Sequence, residues 1–362
     1  MADNPFTPSF GSVPPLLAGR RELIDAVLGG LDSGPGDPNR VALFVGPRGT
    51  GKTALLTAIA DEAGSRGWIS ANVTALDGLL EDIFERAVEA AAEFVPPAGG
   101  SRWTGVGLGG LSLTREVLTP TGNWRTRMNR LVDALAQHQV GLLITVDEAT
   151  AATPGLRELV AVFQHFVRER RAVALLLAGL PRGVSELLQD EKISFLRRAF
   201  QHRLDAIPAP EVQETIRQTV ELSGRDIDQQ ALRQATAAAD GFAFLIQLIG
   251  YHMWRQHPDR PTVSVPDAAA GVDLARADME RMIFATSLAE LSEVDRAFLE
   301  AMTPDPGASR LADVAQRLGV TPNYANQYRA RLIERGLIAP RGRGRVGFDL
   351  PMLADYLRSQ QS

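Results

Sequence analysis

Eight consecutive residues of this chain have the types and the spacing that bind a triphosphate. They read Gly-Pro-Arg-Gly-Thr-Gly-Lys-Thr from Gly46 to Thr53, which fits the pattern G-x-x-x-x-G-K-[ST] at every position. Lys52 can reach the β- and γ-phosphates as a point charge, and it is one of only two lysines among thirty-eight basic residues. The Thr53 hydroxyl would coordinate Mg²⁺. The sequence therefore predicts a site for ATP and Mg²⁺.

The residues on either side of this loop can position it. Val41 to Val45 is a five-residue apolar run, typical of a strand buried in a parallel sheet. Glycines let the loop aim its N–H groups at phosphate oxygens, and a helix expected from Thr53 onward adds the partial positive charge of its N-terminus. The predicted nucleotide contacts in this segment are Gly46, Pro47, Arg48, Gly49, Thr50, Gly51, Lys52, Thr53 and Ala54.

A second apolar run, from Gly141 to Val146, ends in two carboxylates. Asp147, at the carboxyl end of this predicted strand, would hold Mg²⁺ through water. Glu148 would polarise the water that attacks the γ-phosphate, so Glu148 and Lys52 are the predicted catalytic residues. A strand that ends in Asp-Glu is common, but roughly ninety residues after a phosphate-binding loop it is specific. The pair predicts hydrolysis of the bound nucleotide.

Composition limits the remaining possibilities. A chain of 362 residues is too long for one compact core and suggests two or three domains. The absence of cysteine excludes disulfides, thiolate metal ligands and cysteine nucleophiles, and the five histidines show no metal-ligand spacing. The longest apolar run is well short of the roughly 20 residues of a membrane span, and the first residues show no signal segment. We therefore expect a cytoplasmic protein that does not bind membranes.

Four parts are predicted along the chain. Residues 1–15 contain four prolines and predict an extended arm. Residues 16–207 alternate apolar strands with helices, which indicates an α/β fold with a three-layer αβα core around a parallel sheet. Within this part, the Gly-rich stretch 96–123 could form a hairpin, and it remains open as a functional loop or a long connection. Residues 208–286 predict an all-α lid, and residues 287–362 predict a winged helix-turn-helix.

The last part is basic on an otherwise acidic chain. The net charge is −5, yet residues 306–362 contain nine arginines and four acidic residues. In the helix that follows Thr321, the side chains of Ala325, Tyr328 and Leu332 share one face and are expected to pack inward. The predicted contacts to double-stranded DNA lie on the outward face and at the hairpin tip: Asn323, Asn326, Gln327, Arg331, Arg341, Arg343 and Arg345.

With these pieces in view, the chain resembles AAA+ and signal-transduction-type (STAND) P-loop ATPases of the origin-recognition, archaeal-ATPase-like group. The resemblance covers about residues 15 to 355 and rests on the phosphate-binding loop, Asp147-Glu148, Gly19–Glu22, Ser194–Arg198 and Gly241–Gln247. It implies an ATPase core, a helical lid and a C-terminal winged helix. It also implies that Arg20 lies in the nucleotide pocket. Arg197 and Arg198 match the position of an arginine finger, which would act on the γ-phosphate of a neighbouring subunit.

Two departures from the pattern of this group favour slow hydrolysis. The predicted strand 172–178 is followed by Gly179-Leu180-Pro181, which offers no polar side chain of the kind expected there as a sensor. The lid has Phe242 and Phe244 near Gly241, where many AAA+ members carry an arginine. Signal-transduction ATPases share that loss, so the nucleotide could act as a switch.

Two functions remain open at this stage. In the first, ATP state controls assembly or domain geometry while the winged helix binds DNA. In the second, the protein is a signalling ATPase whose winged helix docks a protein partner, and a homo-oligomer is compatible with both. A strong dependence of nucleic-acid affinity on salt would favour the first function, whereas no binding at low salt would favour the second.

Overall fold

A computed structural model describes residues 3–9, 13–94 and 122–361 of the chain. The predicted hairpin lies outside these described residues. Of the stretch 96–123 that contains it, the structure describes only residues 122 and 123. The chain divides into two compact units. The sheet unit contains residues 20–46 and 52–204, and the helical unit contains residues 1–19, 47–51 and 205–362.

The sheet unit is built on five parallel strands in the order β2-β3-β4-β1-β5. These strands are β1 (Val41–Val45), β2 (Trp68–Thr74), β3 (Gly141–Asp147), β4 (Val173–Gly179) and β5 (Phe200–Arg203). Strand β4 lies between β1 and β3, and all three run in the same direction. The carboxyl ends of β1 and β3 therefore leave the sheet at the same edge, where ligands of such sheets bind.

Helices cover both faces of this sheet. They are α1 (Arg21–Ser33), α2 (Lys52–Gly64), α3 (Leu79–Phe94), α4 (Trp124–Gln137), α5 (Leu156–Arg168) and α6 (Pro181–Gln189), with 3₁₀ turns at Pro38–Arg40 and Glu191–Arg198. Because strand residues alternate between faces, Leu43, Ile144 and Leu175 join one core with α3 to α6. Helix α2 packs against β2, β3 and β4 outside that core. This arrangement confirms the predicted three-layer αβα fold.

Strand β5 was not predicted from the sequence. Its four residues read Phe-Gln-His-Arg, and three of them are exposed. The strand lies at the edge of the sheet and pairs with β1 alone. An edge strand of this kind buries few side chains, so it lacks the apolar run from which β1, β3 and β4 were predicted.

The middle of the helical unit is a bundle of helices, as predicted for the lid. It contains α7 (Ala209–Leu222), α8 (Gln229–Ala239), α9 (Ala243–Gln256), α10 (Val265–Met279), a π-helical turn (Glu280–Phe284) and α11 (Ala285–Ala289), with a short parallel pair of β6 (Asp226–Ile227) and β7 (Thr262–Val263). The buried Arg225 stacks on Trp254 and donates hydrogen bonds to the carbonyls of Trp254, His257 and Arg260. It thereby fixes the connection between α9 and β7.

Residues 3–9 of the predicted arm pack against α9. Phe6 is 1% exposed, and a Cβ atom placed on Gly250 would lie 2.2 Å from its ring. The Asn4 side chain donates to the Tyr251 carbonyl at 3.0 Å, and the Thr7 N–H donates to Gln247 at 3.1 Å. This part of the arm is therefore bound to the lid through a buried ring and two hydrogen bonds.

The C-terminal part of the helical unit is a helix-turn-helix followed by a β-hairpin. It contains α12 (Glu293–Met302), β8 (Ala308–Arg310), α13 (Leu311–Leu318), α14 (Pro322–Glu334), β9 (Ile338–Pro340), β10 (Arg345–Phe348) and α15 (Leu353–Gln360). The three strands form an antiparallel sheet in the order β8-β10-β9. Thr321 caps α14 by accepting the Tyr324 N–H, and Pro322 occupies the first helical position. The predicted winged helix-turn-helix is confirmed.

Candidate nucleotide site and candidate nucleic-acid interface

The phosphate-binding loop joins the end of β1 to the start of α2. Gly49 and Gly51 have φ angles of +77° and +83°, in the left-handed region that favours glycine. Left-handed residues alternating with ordinary ones turn successive N–H groups toward one concavity, which suits an anion. Lys52 Nζ donates to the Gly46 carbonyl at 2.9 Å, so its ammonium group lies next to the first residue of the loop.

The other predicted nucleotide contacts differ in exposure. Thr50 is buried, and its hydroxyl donates to the Pro47 carbonyl at 2.9 Å, which closes the turn. Arg48 is exposed, and Ala54 is half-buried in the first turn of α2. Arg20 is 8% exposed and directly precedes α1. Its role in a nucleotide pocket, implied by the resemblance, stays a prediction.

Thr53 and Asp147 lie side by side in the sheet unit. The Thr53 hydroxyl donates to Asp147 Oδ2, which brings together the two predicted metal ligands. The other carboxylate oxygen, Asp147 Oδ1, accepts the N–H of Glu148 at 2.8 Å, so the carboxylate is oriented by two hydrogen bonds. Hydroxyl and carboxylate oxygens are ligands that Mg²⁺ accepts together with water and phosphate oxygens. The residues present therefore fit a Mg²⁺–nucleotide, although the pair is separated by ninety-four positions in the sequence.

Glu148 occupies an unusual backbone conformation directly after β3. Its φ is +56°, which is uncommon for a residue with a side chain and is concentrated at functional sites. The next residue, Ala149, donates its N–H to the Ala178 carbonyl of β4 at 2.8 Å, so the chain returns at once to the sheet. Glu148 is exposed and directly follows Asp147, at the carboxyl edge of the sheet. A general base for water would be required at this edge.

The end of β4 explains the missing sensor side chain. The Gly179 carbonyl accepts the Gly46 N–H at 3.3 Å. A Cβ atom placed on Gly179 would lie 2.7 Å from the Ala149 carbonyl oxygen, so main chain packs directly on main chain there. A polar side chain at this position would displace the turn that carries Glu148.

The two arginine-finger candidates have different surroundings. Arg197 donates to the carbonyls of Leu188 and Gln189, at 2.7 and 3.3 Å, and so satisfies the C-terminal end of α6. Arg198 is exposed, and its side chain has no hydrogen-bond or ion-pair partner among the residues that the structure describes. Arg198 is therefore the better candidate to act outside its own chain.

Helix α14 has the two faces that the sequence predicts. Its inward face consists of Ala325, Tyr328 and Leu332, all buried. Its predicted reading residues are all exposed, and they are Asn323, Asn326 and Gln327. Sequence reasoning overlooked Tyr324, which is 45% exposed and packs edge-on against Tyr328 at 4.8 Å between ring centroids. The signal was available, because aromatic residues four positions apart meet on a helix.

Arg331 is exposed, but its guanidinium also contacts α12. Its guanidinium donates to Asp295 Oδ1 at 2.8 and 3.2 Å and lies 4.4 Å from the centre of the Tyr328 ring. The hydrogen bond that Arg331 donates to Asp295 raises the pKa of Arg331. Asp295 is only 3% exposed and also accepts from the Ser292 hydroxyl at the start of α12. Arg331 thus joins α14 to α12, which makes it the weakest of the predicted DNA contacts.

The three arginines of the hairpin tip are all exposed but are not equivalent. Arg341 donates to the Phe348 carbonyl at 3.2 Å and to Asp349 at 3.4 Å, so it folds back on its own hairpin. The side chains of Arg343 and Arg345 have no hydrogen-bond or ion-pair partner within the described part of the chain. These two are the cations that the tip presents to a ligand.

The parallel sheet, the glycine-rich loop and the Thr53–Asp147 contact together match the pattern of a P-loop nucleotide-binding fold. Residues 16–177 match the AAA ATPase domain family. Residues 281–357 match a domain family of unknown function. No curated protein matches the chain. No helix among the described residues is long and apolar enough to cross a membrane.

Several solved structures share the fold over nearly the whole chain. The ORC2 protein of Aeropyrum pernix, in ADPNP–ADP complexes, is 17% identical with a TM-score of 0.65, and the match covers 97% of this chain and 95% of that one. The Walker-type ATPase of Pyrococcus abyssi is 15% identical, with a TM-score of 0.64 and coverages of 94% and 96%. Cdc6p of Pyrobaculum aerophilum is 14% identical, with a TM-score of 0.51 and coverages of 98% and 97%. The chain therefore has the fold of origin-recognition-like AAA+ P-loop ATPases.

Proposed function

We propose that the protein binds ATP with Mg²⁺ and hydrolyses it slowly, and that nucleotide state controls assembly or domain geometry. The observation that supports this proposal is the contact between Thr53 and Asp147, which brings together the two predicted Mg²⁺ ligands from separate motifs. Lys52 would bind the β- and γ-phosphates, and Glu148 would act as the base toward water. In this proposal the protein is a cytoplasmic switch with four parts, which are the arm (residues 1–15), the ATPase core (16–207), the lid (208–286) and the winged helix (287–362).

We expect slow turnover because two polar side chains that would donate to the phosphates are missing from the described residues of the site. The end of β4 has glycine packed on main chain in place of a polar side chain. The start of α9 carries Phe242 instead of an arginine. Each missing donor would otherwise stabilise the charge that develops on the transferred phosphoryl group. Binding without fast hydrolysis suits a switch, because the ATP-bound form then persists.

The second half of the proposal is that the winged helix binds double-stranded DNA. The supporting observation is the combination of an exposed amide-bearing face on α14 with the unpartnered cations Arg343 and Arg345 at the hairpin tip. Asparagine and glutamine side chains read base edges in the major groove, and arginines at a wing contact phosphates or enter the minor groove.

One observation favours the second candidate function, a signalling switch that docks a protein partner. Arg331 and Arg341 form contacts within the domain, which reduces the number of cations available to phosphates. A surface with amides, an exposed Tyr324 and only a few cations also fits a protein interface, where tyrosine is enriched and bulk charge is low.

Binding of duplex DNA measured across a salt series separates these functions. For the wild type we expect the logarithm of affinity to fall linearly with the logarithm of salt concentration. The double variant Arg343→Ala/Arg345→Ala should lower the slope by about 1.8, because each phosphate contact contributes about 0.9. The lid variant Arg276→Ala/Arg281→Ala removes the same charge elsewhere and should leave the slope unchanged. No DNA binding by the wild type at low salt would favour the protein-docking function.

A further inference from the structure

Phe242, which directly precedes α9, and the first two residues of α9 lie against the phosphate-binding loop. These three residues and loop residues 47–51 all belong to the helical unit. The ring of Phe242 covers one side of Gly49, since a Cβ atom placed on Gly49 would lie 2.4 Å from Phe242 Cε1. The N–H of Phe244 donates to the Gly49 carbonyl, with an N···O distance of 3.1 Å. A Cβ atom on Gly51 would lie 3.4 Å from the Cβ of Ala243. Three consecutive lid residues therefore contact two glycines of the loop.

The hydrogen bond from Phe244 determines which way one peptide of the loop faces. Every described peptide bond is trans. In a trans peptide the carbonyl of one residue and the N–H of the next point in opposite directions. When the Gly49 carbonyl is held toward α9, the Thr50 N–H is turned away from α9. Loop N–H groups must face a bound anion and loop carbonyls must face away from it, so this hydrogen bond fixes which side of the peptide can donate to a phosphate.

Phe242 is itself held firmly in place. It is 8% exposed, and its N–H donates to the Ala239 carbonyl at 2.8 Å. The preceding Gly241 has a φ of +72° and accepts the Ile207 N–H at 2.9 Å. A Cβ atom on Gly241 would lie 2.5 Å from the Ile207 carbonyl oxygen, so only glycine allows this approach. The ring is therefore a fixed support for the loop, and any rearrangement of the start of α9 must move it.

We propose that Phe242 is a positioning residue for nucleotide binding, which together with the Phe244 N–H holds the Gly49–Thr50 peptide in the phosphate-binding orientation. The lid then sets nucleotide affinity through the main chain of the loop, with an apolar ring and one N–H and without a charged side chain. Conversely, a nucleotide that requires this loop conformation stabilises the contact between α9 and the loop, since such coupling is reciprocal. The inference rests on the proposed binding of ATP.

Equilibrium binding of a fluorescent ATP analogue to the full-length chain tests this inference. If loss of the ring reduces the fraction of binding-competent loops to about one tenth, Phe242→Ala raises the dissociation constant about tenfold. Phe242→Leu retains an apolar cover and should stay within about threefold of the wild type. Phe298→Ala is the matched control, because it truncates a fully buried phenylalanine of the same unit that does not contact the loop.

Hydrogen exchange of the peptide that covers residues 46–52, measured without nucleotide, distinguishes positioning from general destabilisation. Phe242→Ala should accelerate exchange in this peptide, and Phe298→Ala should leave it unchanged even if its melting temperature falls by as much. Equal affinity for the analogue in Phe242→Ala and wild type, or equal weakening in Phe298→Ala, overturns the inference alone. A wild-type protein that binds no ATP overturns the proposed function and this inference together.

Discussion

The phosphate-binding loop and the exposed face of α14 both lie at the N-terminal end of a helix, but they present different kinds of groups. The loop presents main-chain N–H groups whose direction is set by Gly49 and Gly51, with Lys52 and Thr53 as the side chains proposed to bind phosphate and Mg²⁺. Helix α14 presents side chains alone, on a helix of ordinary geometry. A main-chain site requires a few residue types at fixed spacing, whereas a side-chain surface can be built from many sequences.

This difference determines how far function can be inferred from each region. The loop can serve few purposes other than phosphate binding, because its glycines fix a conformation that is costly for other residues. The face of α14 can serve DNA or protein, because amides and arginines bind both. Substitutions should therefore abolish function at single positions of the nucleotide site and only reduce it at single positions of α14.

Loss of the loop lysine tests the first half of this comparison and should have the largest effect. Lys52→Ala should abolish measurable ATP binding, because the phosphates lose the dedicated cation of the loop. Isothermal calorimetry on the purified protein measures this directly. Lys192→Ala is the natural control, since Lys192 is the other lysine of the chain and is exposed in a 3₁₀ turn. Near-normal affinity in Lys52→Ala would remove the basis for a main-chain phosphate site.

The second prediction separates binding from turnover within the same site. Glu148→Gln should keep ATP bound but lower the rate of hydrolysis about 1000-fold, because the amide has the same shape and cannot accept the proton of water. Steady-state phosphate release and equilibrium ATP binding are measured side by side. Glu158→Gln, an exposed position on α5, should leave both unchanged. Hydrolysis within a few-fold of the wild type in Glu148→Gln would place the base elsewhere.

Most of the fold, and the local structure at the centre of the proposed nucleotide site, could be predicted from the sequence because both depend on local patterns. Apolar runs identified strands β1, β3 and β4, and the glycine-lysine motif identified the loop between β1 and α2. The position of Asp147 beside Thr53 followed from the rule that parallel strands end at one edge of a sheet. The inward face of α14 followed from helical periodicity.

The contacts that refine the site depend on pairs of residues far apart in the sequence, and no local pattern reveals them. Arg331 donates to Asp295, which is thirty-six positions away in the sequence. The Phe244 N–H donates to the Gly49 carbonyl, which is almost two hundred positions away. Arg197 was equivalent to Arg198 by sequence, and only the position of α6 shows that its guanidinium satisfies helix carbonyls. Composition and periodicity identify which face of an element is buried, but they do not identify its partner.

The third prediction uses that difference between Arg197 and Arg198. If Arg198 is a finger that acts on a neighbouring subunit, Arg198→Ala should lower turnover about 100-fold without weakening ATP binding. Arg197→Ala should instead lower the melting temperature by about 2–4 °C, since it removes roughly 1 kcal/mol of helix-capping contacts.

Mixing the Arg198→Ala and Glu148→Gln proteins provides the decisive measurement for this prediction. Each interface between unlike subunits can contain one intact base and one intact arginine, so part of the activity should return. A strictly monomeric mass together with no rescue would contradict action between subunits. Loss of turnover in Arg197→Ala at unchanged stability would show that the two arginines were assigned the wrong way round.

The smallest expected effect belongs to the exposed face of α14, and it tests the second half of the comparison. Asn326→Ala and Gln327→Ala should each change the preference of the protein among duplex sequences about tenfold, because one base-edge contact is worth about 1–3 kcal/mol. Affinity for phosphates should remain, so the salt slope should match that of the wild type. A binding-site selection from random duplexes, followed by affinity measurements on the selected sites, provides the readout. Gln360→Ala, exposed at the end of α15, serves as the control in the same domain.

Unchanged preference in both variants, with the effect of the hairpin arginines intact, would mean that this face holds the duplex by its backbone alone. The side chains at the start of α14 would then resemble the phosphate-binding loop, because both would contact phosphates and neither would contact bases.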